Sequence, residues 1–160
     1  MSINNNIEMI IITDGKITSD IIKDNNTLML QTYPDWEWYI ECNMTWFLFY
    51  KDNKIIGNFS ITETSDFGYL FYNLENVCVD INHRRQHIGS YMITELKIWC
   101  IDNNIDSISL DTNIYNIPAI NLYKKNGFKI EEEISDTIYM ILNLNADNDE
   151  SDSDFLCSIC

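Results

Sequence analysis

Residues 77–89 leave this chain few ways to fold. An apolar run, Val77-Cys78-Val79, leads into a basic turn, Arg84-Arg85-Gln86-His87. From Ile88 the apolar spacing becomes helical, with Ile88, Met92, Leu96 and Trp99 on one face and Ile93 and Cys100 alongside. A strand that runs into a basic, glycine-bearing turn at a helix N-terminus offers backbone N–H groups and positive charge to a phosphate. One strand later comes Asn116-Ile117-Pro118-Ala119-Ile120-Asn121-Leu122-Tyr123-Lys124-Lys125-Asn126-Gly127-Phe128. It reads as a short helix stopped by Gly127. A tyrosine projecting from it can face the same ligand.

The rest of the pattern is consistent with these two blocks. Residues 8–13 form a β-branched run closed by Asp14-Gly15, hence a strand and turn. Residues 18–31 carry Ser19 and Asp20 as cap candidates before a broken apolar spacing that suggests a helix. Tyr33-Pro34-Asp35 opens a second helix expected to run to about residue 43, with proline in its first turn. Residues 46–50 and 54–62 flank Lys51-Asp52-Asn53 as a hairpin, and 69–80 is a third long strand, giving an antiparallel meander. Residues 106–112 follow as a strand, and 128–134 with 137–144 close as a hairpin. Strands first, then strand–helix alternation, predict an α+β domain with a mixed sheet.

With 160 residues and 46% hydrophobic content, the chain suits one domain with a sizeable core, expected over residues 1–144. No run approaches a membrane span and the first residues lack a secretory pattern, so the expected localisation is cytoplasmic. The net charge is −15, of which residues 145–160, expected to be an acidic disordered tail, supply about a third. An acidic surface repels nucleic acid and anionic membranes and favours cationic partners, and it also serves plain solubility. Cys42, Cys78 and Cys100 lie in apolar segments and read as small buried hydrophobes. Cys157-Ser158-Ile159-Cys160 has CxxC and CaaX spacing, but a zinc site needs more ligands and prenyl anchors usually follow basic residues. No metal is expected.

The strand, turn and second helix together resemble the acetyl-CoA-binding half of the GNAT family of N-acetyltransferases. The turn matches the family's Arg/Gln-x-x-Gly-x-Gly/Ala at Arg84 and Gly89, with His87 in place of the first glycine. Asn116, Ala119, Leu122, Tyr123, Gly127 and Phe128 fall at the family spacing. The resemblance covers roughly residues 54–144 and reaches the first 50 in outline. It implies the GNAT fold, a mostly antiparallel sheet flanked by about four helices. It also implies a cofactor site for acetyl-CoA. Backbone amides of Arg84, Arg85, Gln86, His87, Ile88, Gly89 and Ser90 would hold the pyrophosphate. Val77 and Val79 would pair with the pantetheine arm as with an added strand, and Asn116 would bond the arm or a water. If His87 needs φ > 0, coenzyme affinity is expected to suffer.

By the same resemblance, Tyr123 is the acid that protonates the leaving thiolate. Glu75, read as sharing a strand face with Val77 and Val79, is the base acting on the amine. His83 and His87 read as exposed loop residues. The acceptor amine, a small molecule or a protein lysine or N-terminus, enters beside residues 33–41, where Tyr33, Trp36 and Glu37 suit a cation. A polyamine, an aminoglycoside or a lysine-like group fits that chemistry, and a homodimer is compatible with the family. The competing reading is a non-catalytic acetyl-CoA-binding or interaction module on the same fold. A weaker one is an adaptor tethered through the CaaX-like end.

Overall fold

The computed structural model describes residues 6–13, 18–35 and 43–145. In chain order these form β1 (Glu8–Thr13), α1 (Ser19–Met29), β2 (Met44–Lys51), β3 (Lys54–Asp66), β4 (Tyr69–Val79), α2 (Ile88–Asp102), β5 (Ser107–Asn113), α3 (Ile117–Lys125), β6 (Lys129–Ile134) and β7 (Thr137–Asn143). A single 3-10 turn, Ile81–His83, lies between β4 and α2. The strands make one sheet in the order β1-β2-β3-β4-β5-β7-β6, antiparallel except where β4 meets β5. The expected helix over 33–43 begins at Tyr33–Asp35 with turn geometry, and residues 36–42 lie outside the described part. So does the acidic tail beyond residue 145.

Alternation in β2 shows how sequence builds the layers. Phe47 and Phe49 enter the larger core under α2 and α3, while Trp46 and Leu48 enter the smaller one under α1. The larger core joins Phe59, Ile61 and Leu74 of the sheet to Met92, Ile93 and Leu96 of α2 and to Ile120 and Tyr123 of α3. Thr18, rather than Ser19 or Asp20, caps α1, accepting from Ile21 N–H at 3.4 Å. Both long hairpins use two-residue turns at positive φ: Asp52 (50°) with Asn53 (61°), and Phe67 (48°) with Gly68 (85°). The second turn lets β3 run four residues further than the sequence pattern suggested, through Asp66, while β4 starts at Tyr69 as expected. Cys78 and Cys100 are buried free thiols, as expected.

Candidate active site

β4 and β5 are bridged in parallel only at Asn73 and Ser109 among the described residues, and beyond that point they diverge. A bulge shapes the departing end of β4. Phe59 of β3 faces the extra residue at Asn76–Val77, and Asn76 takes φ 56°. Side chains from β3 hold it there. Asn58 Nδ2 donates to the Asn76 carbonyl at 3.2 Å, and Asn76 Nδ2 donates to Ser60 Oγ at 2.8 Å. The bulge changes which way the following residues point. Val77 and Val79 pack on the α2 side, whereas Glu75 sits opposite Ser60 on the α1 side. Glu75 therefore does not share a face with Val77 and Val79, because strict alternation breaks at Asn76. Beyond Asn73, the β5-facing edge of β4 makes no ladder with β5, so Val77 and Val79 can pair with an extended arm.

The turn after β4 is built largely by its own side chains. Asp80 Oδ1 accepts from Asn82 N–H at 2.9 Å and lies 2.9 Å from His83 Nδ1. His83 is thus a hydrogen-bond partner of Asp80 rather than a free loop residue. Arg84 donates Nε–H to the Val79 carbonyl at 2.9 Å and Nη2–H to Thr32 Oγ1 at 3.1 Å. Its guanidinium clamps the turn to the segment after α1, so the charge available to a ligand is Arg85's. Gln86 Nε2 donates to the Asn82 carbonyl at 3.0 Å. Arg85 and His87 both have φ 62°. His87 is the N-cap of α2, and its side chain makes no capping bond. The first amides of α2, including those of Ile88, Gly89 and Ser90, are left without a side-chain cap, as an anion site requires.

His87 answers the question its sequence raised. The position does take a left-handed backbone. For an L-residue this costs about 1–2 kcal/mol, which glycine avoids. Gly89 has a packing reason as well: a Cβ would meet Leu122 Cδ2 at 3.0 Å, so glycine lets α2 close on α3. Ser90 Oγ, 3.5 Å from Asn126 Nδ2, ties the same two helices. Asn116 is the N-cap of α3 by geometry, but its amide donates to Thr112 Oγ1 at 3.5 Å and caps nothing.

Tyr123 is the centre of the arrangement. It is 7% exposed, and its hydroxyl makes no hydrogen bond among the described residues. Burial pushes its phenol well above the ordinary tyrosine value, with Tyr33 and Asp111 adding to the shift. Tyr33 follows α1, on the side where Thr32 touches Cys78 Sγ at 3.1 Å, whereas Tyr123 comes from the opposite helical layer. The two phenols are close enough for Tyr33 to act electrostatically on Tyr123. Burial raises the Tyr33 phenol too, with Cys78 adding to it. Of the acceptor residues expected from the sequence, Tyr33 reaches this centre; Trp36 and Glu37 lie outside the described residues.

Asp111 is the site residue that the sequence reading missed. It lies on β5 in a cross-strand row with Tyr139 and, one strand further, Glu132, all three exposed. Its alternation with Leu110 resembles any solvent-facing strand carboxylate. Its position five residues before Asn116, in the strand that precedes the Tyr123 helix, was the available signal. An amine acetyltransferase's coenzyme fits what is present: an uncapped helix start, a free strand edge, and a tyrosine hydroxyl without a partner among the described residues. Among the described residues no group of three His, Cys, Asp or Glu side chains could hold a metal. No helix among them is long and apolar enough to cross a membrane.

Comparison with known proteins agrees with this geometry. The family model described as "Acetyltransferase (GNAT) family" matches residues 17–128. The chain is 29% identical over 80 residues to streptothricin acetyltransferase of Escherichia coli, covering 49% of this chain and 44% of that protein. It is 31% identical over 90 residues to L-amino acid N-acetyltransferase AaaT of Escherichia coli strain K12, covering 50% of each. It thus spans about half the length of the curated relatives it matches. Among solved structures, a GNAT family acetyltransferase from Elizabethkingia anophelis with acetyl-CoA bound superposes with TM-score 0.69 at 19% identity, covering 88% of this chain and 99% of that one. PaiA N-acetyltransferase from Thermoplasma acidophilum, in complex with coenzyme A, gives 0.68 at 15% identity over 86% and 98%. These likenesses are of fold. With the family model spanning most of the sequence, the chain belongs to the GNAT acetyltransferase family.

Proposed function

We propose that this protein transfers an acetyl group from acetyl-CoA to a primary amine, and that the acceptor is cationic. The observation that carries this is Tyr123, its ring buried and its hydroxyl unbonded among the described residues, where β4 and β5 part beside an uncapped helix start. Acetyl-CoA supplies an activated thioester: attack by a neutral amine forms the N–C bond, breaks C–S and releases a thiolate that takes up a proton. An alkylammonium must first give up a proton, since its pKa is about 10. Glu75 and Asp111 are the carboxylates positioned to accept it, directly or through water. The second nitrogen proton, lost as the amide forms, balances the thiolate. Tyr123 stays a phenol at neutral pH and donates a hydrogen bond to the sulfur as negative charge develops there.

The cationic preference rests on the open face beside the gap. Asp111 and Glu132 flank Tyr139 in one row, giving two carboxylates around an aromatic ring. The net charge of −15 adds long-range attraction for a cation. The relatives named for streptothricin and for L-amino acids are consistent with an amine acceptor. The test is a thermal-shift titration with acetyl-CoA followed by thiol release across an amine panel. A melting-temperature rise with turnover on polyamines or lysine peptides is expected. Turnover fastest on neutral or anionic amines overturns the cationic acceptor. Stabilisation with no turnover on any amine favours the non-catalytic module, and no stabilisation near millimolar coenzyme overturns the site itself.

A further inference from the structure

At the end of α2 furthest from the turn, helix and sheet enclose a cavity of about 360 Å³, near the lower bound for small-molecule sites. It shares no residue with the gap, which opens beyond Asn73 towards Val79. Buried Ile61 and Ile105 give it apolar contact, and uncharged Thr13, Asn43, Thr45 and Asn103 line much of the rest. Two of its walls are the aromatic residues Tyr72 and Trp99, and Phe47 fixes the Trp99 ring edge-on at 5.3 Å and 83°. One carboxylate lines it, Glu63, the cross-strand partner of Tyr72. The Tyr72 hydroxyl lies beside Glu63; burial first, and this carboxylate second, push the phenol up. No lysine or arginine is among the described residues lining the cavity. The last turn of α2 holds no basic side chain either; its carbonyls accept instead from the backbone N–H groups of Asn103, Asn104 and Ile105 and from Asn103 Nδ2.

Two aromatic side chains and one carboxylate, with no cation among the other described lining residues, suit one class of ligand. An anion meets only negative charge, and a neutral apolar molecule gains nothing from Glu63. A cation with an apolar body gains from each element. We infer that this cavity is a second ligand site, separate from the acetyl-transfer centre, for an organic ammonium ion. The inference does not depend on the proposed activity.

Phenyltrimethylammonium is a suitable probe, because a quaternary nitrogen has no proton to lose and cannot be acetylated. Calorimetric titration of the full chain is expected to show saturable binding that acetyl-CoA does not displace. Glu63→Gln should weaken it about tenfold, and Tyr72→Phe should weaken it by less. Asp111→Asn, on the other side of the sheet, should leave it within about twofold. Should Glu63→Gln fold poorly, Tyr72→Phe and the neutral isostere tert-butylbenzene carry the test, the isostere being expected not to bind. Four results overturn the inference: no binding at millimolar probe, equal binding of the isostere, unchanged binding in both cavity variants, or displacement by acetyl-CoA.

Discussion

Tyr123 joins a buried ring to a hydroxyl with no partner among the described residues, and these two facts predict different effects for one substitution. Tyr123→Phe keeps the ring that packs 5.6 Å from Phe128 and removes only a group that contributes no internal bond. Melting temperature and acetyl-CoA affinity should hold, while thiol release falls by about 10²–10³. The raised phenol pKa fixes the pH behaviour: the donor form persists to higher pH than in free tyrosine, so Tyr123 adds no alkaline loss of rate below about pH 10. Glu75→Gln and Asp111→Asn separate the two candidate bases. The variant that removes the acidic limb of the rate profile identifies the base, and the other should alter KM for the amine alone. Tyr123 was legible because a glycine stop and a helical spacing locate it in the sequence. Glu75's direction was not, since it depends on a bulge set by Asn58 and Ser60 of a different strand.

Two short elements hold the site, and each has a backbone position that can be tested. The C-terminus of α3 closes with Phe128 N–H on the Tyr123 carbonyl and Gly127 N–H on the Lys124 carbonyl, both at 3.1 Å. With Gly127 at φ 95° and the Tyr123 and Phe128 rings in contact, this is a Schellman ending. Gly127→Ala should destabilise by about 1–2 kcal/mol in denaturant unfolding. Because the same bonds orient Tyr123, kcat should fall more than coenzyme affinity. At the turn, His87→Gly should raise stability by up to about 1 kcal/mol with acetyl-CoA affinity unchanged, as titration would read. A lowered affinity would mean that the imidazole itself touches the ligand. Strand and helix bounds were largely legible here, since Ile88 and Gly127 mark changes of period and chirality. The left-handed backbone at Arg85 was not, because arginine does not announce it, and at His87 only the family's glycine at that position raised it.

Across the whole molecule, the acidic balance matters most where one carboxylate joins distant segments. Asp80 accepts from Gln31 Nε2 at 2.9 Å, from Asn82 N–H and from His83, so it links the chain after α1 to the end of β4 and to the turn. Burial alone would raise its pKa; the three hydrogen bonds and the His83 charge outweigh that and lower it. A carboxylate with a lowered folded pKa gives its full stabilisation above its unfolded value near 4 and loses it as pH falls through the folded value. Asp80→Asn should therefore cost about 1–2 kcal/mol at pH 7, most of it from bonds to a charged acceptor with little solvent exposure. The gap between variant and wild type should narrow below pH 4 and close once pH has fallen through the folded value. Protonating the other acids relieves the repulsion of a −15 chain equally in both proteins, so it cancels in the difference. Parallel unfolding curves from pH 7 to 2 read this directly. A gap that stays constant with pH would mean Asp80 acts through shape rather than charge, and the Gln31 link would then be incidental to holding Tyr33 near Tyr123.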